Sequence, residues 1–199
     1  VDRIIKEKIK RVVIGTLDIN PLVSGNGVKA LKKAGIEVKV GILEKECIEL
    51  NKFFFKFIIN KLPYVTVKAA QTLDGMIADK NNYSEWISSS ESRKYVHWLR
   101  ARYDAILIGS DTASKDNPKL TVRLIEGRNP YRVVLDSNLK LKNDLNIFKY
   151  SSDKKTIVIT SEKNKSKLRK IAQLKKFGVK VLFAKSDVQE RLQLKSVLK

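Results

Sequence analysis

The sequence predicts an α/β fold with a mainly parallel sheet. Three observations predict it. Short apolar runs recur along the chain: RVVIG (11–15), AILIG (105–109), YRVVLD (131–136), TIVIT (156–160) and VKVLFA (179–184). Stretches with helical spacing separate them, and turn-forming residues punctuate the joins. Strands that alternate with helices are connected most simply as parallel neighbours.

The elements follow in order. Arg11–Gly15 is expected to be a buried strand and Leu17–Gly27 a loop rich in Asn, Gly, Ser and Pro. Val28–Ala34 has helical spacing and stops at Gly35, and Ile36–Gly41 alternates as a half-buried strand does. Leu43–Ile59 is expected as one helix, with Cys47, Leu50 and the Phe53–Phe55 cluster on an apolar face that makes Cys47 a core residue. Lys61–Pro63 breaks the pattern, and a domain junction is placed there. Tyr64–Ala70 reads as a strand. Ser88 with Glu91 reads as a capping box, opening a helix with Tyr95, Val96, Leu99 and Tyr103 on one side and Arg93, His97 and Arg100 on another. Ala105–Gly109, apolar throughout, is expected to be a central strand that runs into a polar loop, Gly109-Ser110-Asp111-Thr112. Two strands follow. Lys165–Phe177 reads as a helix ended by Gly178, Val179–Ala184 as a strand, and Ser186 as the cap of a last helix to Lys199.

Composition narrows the function. The chain has 199 residues and is 43% hydrophobic, which permits a buried core. No apolar run is long enough to span a bilayer, so no membrane partner is expected. VDRIIKEKIKR does not read as a signal peptide, and a single cysteine forms no internal disulfide, so the expected location is the cytoplasm. The net charge of +20 invites a nucleic-acid reading. However, lysine exceeds arginine, the charge is scattered, and no nucleic-acid motif accompanies it, so no nucleic-acid partner is expected. A catalytic zinc takes three protein ligands, whereas this chain has one His and one Cys, on different segments. No P-loop or GxGxxG occurs. What remains is the polar segment after Ile108, where α/β proteins place ligands. A solvated connection would look the same.

Taken as an ordered set, the residues are more specific. PYVTVKAAQTLDGMIA (63–78), SEWISS (84–89), SRKYVHWLRARYDAILIGSDTASKDNPKLTVR (92–123) and NPYRVVLDSNLKL (129–141) closely resemble the reductase domain of the bacterial riboflavin-biosynthesis deaminase–reductase family. Residues 11–55, with NPLVSGNG at 20–27, resemble the last third of the same family's deaminase domain. The resemblance implies the C-terminal part of a cytidine-deaminase-like domain, 1–61, followed by the N-terminal part of a dihydrofolate-reductase-like domain, 62–199. The family's H-x-E and Cys-pair zinc motif is absent from these residues, as is its glycine-rich segment near the reductase C-terminus. Zinc would therefore belong to the parent's deaminase domain only, and this chain alone is expected to be poorly active.

The resemblance also implies a reaction. NADPH reduces the ribosyl group of 5-amino-6-(5-phosphoribosylamino)uracil to ribityl, in a parent that also deaminates the pyrimidine precursor. Carried over by position, Ala70, Trp86, Thr112, Asp116 and Ser137 would contact NADPH. Ser84, Arg100, Leu120 and Arg123 would hold the phosphorylated substrate. Lys68 and Asp116 would stand nearest the chemistry. Two arginines suit a phosphate dianion because each guanidinium presents a planar fork of donors. A homo-oligomer through the reductase domain is implied as well. Two rival readings stay open at this point. One is a stand-alone reductase of the same fold acting on another pyrimidine or pteridine, and the other is a basic nucleic-acid-binding module.

Overall fold

The computed structural model describes residues 1–81 and 87–198. The chain divides into two units, residues 1–67 and 68–198.

The first unit is a small βαβ arrangement. After a short helix, α1 (Asp2–Lys6), come β1 (Arg11–Ile14), α2 (Asn26–Lys33) and β2 (Glu37–Val40). The strands pair in parallel from Arg11↔Glu37 to Ile14↔Val40. A parallel pair needs a crossover, and α2 supplies it, burying Leu31. The expected single helix over 43–59 is two, α3 (Glu44–Leu50) and α4 (Lys52–Asn60). The break is at Asn51, whose side-chain amide donates to the Cys47 carbonyl at 2.8 Å. An asparagine that competes for its own helix's carbonyls ends the helix locally. Cys47 is half-buried rather than in a core. A Cβ at Gly15 would lie 2.1 Å from its Sγ, so only glycine lets β1 come this close to α3.

The expected strand at Tyr64–Ala70 does not form, and residues 63–72 have no regular secondary structure. Val65 and Val67 are exposed. Alternating β-branched residues make a strand only beside a neighbouring strand, and among the described residues no strand is laddered to this segment.

The second unit is a four-stranded parallel sheet ordered β3-β4-β5-β6. Its strands are β3 (Ala105–Gly109), β4 (Tyr131–Leu135), β5 (Thr156–Ser161) and β6 (Lys180–Ala184). The helices are α5 (Ser90–Arg102), α6 (Ser110–Asp116), α7 (Asn146–Lys149), a 3-10 turn over Glu162–Ser166, α8 (Leu168–Lys176) and α9 (Leu194–Val197). Successive strand residues point to opposite faces. Val134 and Val158 therefore join the core of Ala113, Ile147, Phe148, Ile171 and Leu174 on one face. Val133 and Ile159 pack with Ala184 and Leu192 on the other.

Several expectations change in detail. The apolar run at 105–109 forms an edge strand of the described sheet, and Leu107 is exposed. Apolarity alone does not reveal which strands flank a run. The cap of α5 is Ser89, which accepts the Ser92 N–H at 3.1 Å, so the signal is one residue later than the Ser88/Glu91 reading. The buried residue of α5 is His97, while Tyr95 is exposed and stacks on Trp98. The polar loop after Ile108 is helical from Ser110 onward. The helix over 165–177 is split between the 3-10 turn and α8. Ser186 bridges Leu192 instead of capping a helix to the end of the chain.

Candidate functional site

Two polar groupings emerge in the second unit. The first surrounds His97. Its ring is 4% exposed, and Nδ1 accepts the Arg123 backbone N–H at 2.9 Å. Nε2 lies 3.4 Å from Arg100 NH1, and the same guanidinium nitrogen reaches the Thr121 carbonyl at 3.4 Å. Arg123 NH1 donates to Thr121 Oγ1 at 3.2 Å. A helix residue and a segment more than twenty positions later thus converge on one imidazole.

The strap that carries Arg123 is held at several points. Asn117 accepts from both the backbone and the side chain of Asn146, at 2.7 and 2.8 Å. Leu120 is buried in the main core with φ +55°, in the left-handed region that a branched aliphatic residue enters only under constraint. The Val122 N–H donates to Asn129 Oδ1 at 2.8 Å. Gly127 packs so closely on α5 that a Cβ there would lie 2.7 Å from that of Ala101. Strain at Leu120 is therefore balanced by bonds on either side, and the result is a fixed place for Arg123.

The electrostatics follow from this proximity. Burial first, and then the Arg123 charge, push Arg100 below its ordinary value. Burial, Arg100 and Arg123 together push His97 down to about 4. Two cations held together around a neutral ring form a patch that an anion would relieve.

The second grouping is a polar cleft of about 260 Å³, lined by residues that include Ser110, Asp111, Asp136, Ser137, Lys140 and Arg191. It lies at the carboxyl ends of β3 and β4, where parallel sheets offer ligand sites. Lys140 stands 3.7 Å from Asp111. Asp136 is 1% exposed. Its Oδ2 accepts the Leu141 N–H at 2.9 Å, and its Oδ1 has no hydrogen-bond partner among the described residues. A buried acceptor without a donor is costly, and a ligand hydroxyl or carboxamide would satisfy it.

The residues singled out from sequence distribute unevenly over these groupings. Arg100, Leu120 and Arg123 come together around His97. Ser137 lines the cleft. Thr112 and Asp116 are exposed on α6, whose first residues, Ser110 and Asp111, line the cleft. Lys68 is exposed and Ala70 half-buried in the irregular segment. Ser84 and Trp86 lie outside the described residues. Sequence reasoning missed Asp136, Lys140 and Arg191 as cleft residues, and it placed His97 on the arginine side of its helix without a role. The chain's only histidine beside two arginines was the available signal. No cluster of His, Cys, Asp and Glu fit to hold a metal occurs among the described residues. No helix among them is long and apolar enough to cross a membrane.

Comparison with known proteins agrees with this architecture. A family model described as the RibD C-terminal domain matches residues 63–199. The riboflavin biosynthesis protein RibD of Aquifex aeolicus is 45% identical over all of this chain, which covers 53% of that protein. A solved structure of Acinetobacter baumannii RibD superposes with a TM-score of 0.82 at 32% identity, over 99% of this chain and 52% of that one. A diaminohydroxyphosphoribosylaminopyrimidine deaminase/5-amino-6-(5-phosphoribosylamino)uracil reductase from Thermotoga maritima superposes with a TM-score of 0.74 at 41% identity, over 92% and 56%. The chain spans about half the length of the relatives it matches. Its parallel α/β sheet, its ordered motifs and the match over 63–199 together make it a member of the RibD C-terminal domain family.

Proposed function

We propose that this chain carries the reductase side of a two-activity riboflavin enzyme and binds 5-amino-6-(5-phosphoribosylamino)uracil by its phosphate for reduction by NADPH. The observation that carries this reading is the convergence of Arg100 and Arg123 beside His97, where both guanidiniums reach Thr121. Two adjacent guanidiniums match the charge and the oxygens of a phosphate monoester. NADPH, when bound, would supply hydride to C1′ of the opened sugar.

The cleft's chemistry suits that cofactor. Lys140 and Arg191 are cations suited to its phosphates, Ser110 and Ser137 offer hydroxyls, and Asp136 Oδ1 offers an acceptor. In this reading Ser137, Thr112, Asp116, Ala70 and Trp86 hold the cofactor. Ser84, Arg100, Leu120 and Arg123 hold the substrate, and Lys68 and Asp116 stand by the reacting sugar. Such a site works by positioning, because an anchored phosphate fixes the far end of the sugar and limits where its reacting carbon can go.

Residues 1–61 would be the tail of a deaminase domain, and the parallel βαβ of the first unit is compatible with it. Zinc would be bound by the parent's deaminase domain and not by these residues. A homo-oligomer through the reductase domain belongs to the same reading.

The test is NADPH oxidation by the full-length parent with the phosphorylated ribosylaminouracil and with its dephosphorylated form. Consumption that yields the ribityl product and depends on the 5′-phosphate is expected. Turnover indifferent to the phosphate would contradict the reading.

A further inference from the structure

His97 is the chain's single histidine, it is buried, and nothing in the proposed chemistry uses it. Its hydrogen bonds nevertheless fix its protonation. Nδ1 accepts the Arg123 N–H at 2.9 Å, with the Leu124 N–H further off at 3.5 Å. A ring nitrogen that accepts carries no proton, and a neutral imidazole has one N–H, so the proton sits on Nε2. Nε2–H then faces Arg100 NH1 at 3.4 Å, donor towards donor. The ring therefore takes no hydrogen bond from Arg100 and leaves that guanidinium's donors for another acceptor. The Thr121 carbonyl, at 3.4 Å, is a long partner for it.

We propose that His97 is a positioning residue for a phosphate-monoester subsite. Its neutral Nε2–H tautomer pins the Arg123 backbone to α5 and holds the two guanidiniums together while neutralising neither. This inference rests on the reading of Arg100 and Arg123 as the substrate's phosphate anchor.

Three features set this role apart from that of an ordinary core histidine. The ring bonds to the backbone of the very residue whose side chain completes the pair. The strap it pins is strained at Leu120 and needs such a tie. A protonated ring would turn Nδ1 into a donor facing a donor and would place a third positive charge beside the other two. The downward shift of His97 to about 4 agrees with a ring kept neutral under physiological conditions.

The experiment uses the 199-residue chain with ribose 5-phosphate as the probe. Binding is measured for the wild type, Arg100→Ala, Arg123→Ala, His97→Asn and His97→Leu. Asparagine can offer an oxygen near the place of Nδ1, whereas leucine fills the volume with no acceptor. His97→Leu should weaken binding about tenfold, and His97→Asn should stay within about threefold of wild type. Thermal melts monitor the fold of each variant. Nitrogen NMR of the lone histidine gives a second readout that stands even if His97→Leu does not fold. The wild type should show an unprotonated Nδ1 and a protonated Nε2, and both resonances should move as ribose 5-phosphate is added.

Equal losses in the leucine and asparagine variants, no loss in the leucine variant, a proton on Nδ1, or resonances that ignore the ligand would overturn the positioning role. If the arginine variants lose binding while His97→Leu keeps it, the positioning role fails and the phosphate anchor stands. If the wild type does not bind, or the arginine variants bind as it does, the anchor fails and the inference falls with it.

Discussion

The two units use similar residues to very different effect. In residues 1–67, Leu31 and Ile36 are the hydrophobic residues that are buried, while Val13, Leu22, Leu50, Phe53, Phe57 and Ile59 are exposed. In residues 68–198, Val134, Ile147, Phe148, Val158 and Leu174 are each at most 1% exposed. The difference lies in the sheets. A pair of strands crossed by one short helix cannot enclose a core, whereas four parallel strands present two faces that helices and loops can cover. Both polar groupings lie in the unit with the core. A strained strap and a buried imidazole persist only where packing around them is firm.

Cutting one large side chain from each unit tests this difference most strongly. Phe148→Ala should cost about 3–5 kcal/mol, because the ring is fully enclosed and its removal leaves a cavity. Leu31→Ala should fall at or below the low end of the range for buried leucines, about 2 kcal/mol, because its thinly covered surroundings can collapse. Denaturant unfolding of both variants, followed by a probe in each unit, measures this. Equal losses would mean that the first unit is packed as firmly as the second.

A smaller effect is expected from pH, and its sign follows from His97. The unfolded chain binds a proton at the ring near the ordinary 6.5, and the folded chain only near 4. The stability held by the neutral ring is therefore complete above pH 6.5 and is lost as pH falls from 6.5 towards 4. The loss should be on the order of 1–3 kcal/mol, reduced from the full shift because the site relaxes when the ring takes up a proton. Asp153 behaves differently. Its hydrogen bonds to Arg132 hold it below the ordinary 3.8, so its contribution is lost only in more acidic solution. As pH falls from 6.5 to 4, the wild type should therefore lose stability relative to His97→Asn, whose side chain does not titrate. Parallel curves would contradict a ring whose proton affinity folding lowers.

Much of this was legible in the sequence, for identifiable reasons. The strands at 131–135 and 156–161 are short, β-branched and bounded by turn residues, and local pattern is enough to place them. Arg100 and Arg123 could be named because they stand in an ordered run of motifs. Other features depend on partners distant in sequence. Whether AILIG is inner or outer depends on which strands flank it, and YVTVKAA needs a neighbour to become a strand. His97 drew no role from the sequence because its hydrogen-bond partner is a backbone N–H 26 positions away. The cleft was missed because Asp136, Lys140 and Arg191 come from separate turns that meet only after folding.

The measurement that bears most directly on the account is the steady-state response of Arg100→Ala and Arg123→Ala, made in the full-length parent, to each of the two reactants. The arginine pair should serve the phosphorylated substrate and not NADPH. Each variant should raise the KM for 5-amino-6-(5-phosphoribosylamino)uracil by roughly tenfold to a hundredfold, the loss of one charge-assisted hydrogen bond, and leave the KM for NADPH nearly unchanged. A substrate KM within about twofold of wild type for both variants, or an NADPH KM that rises in step with it, would contradict the assignment of this patch as the phosphate anchor.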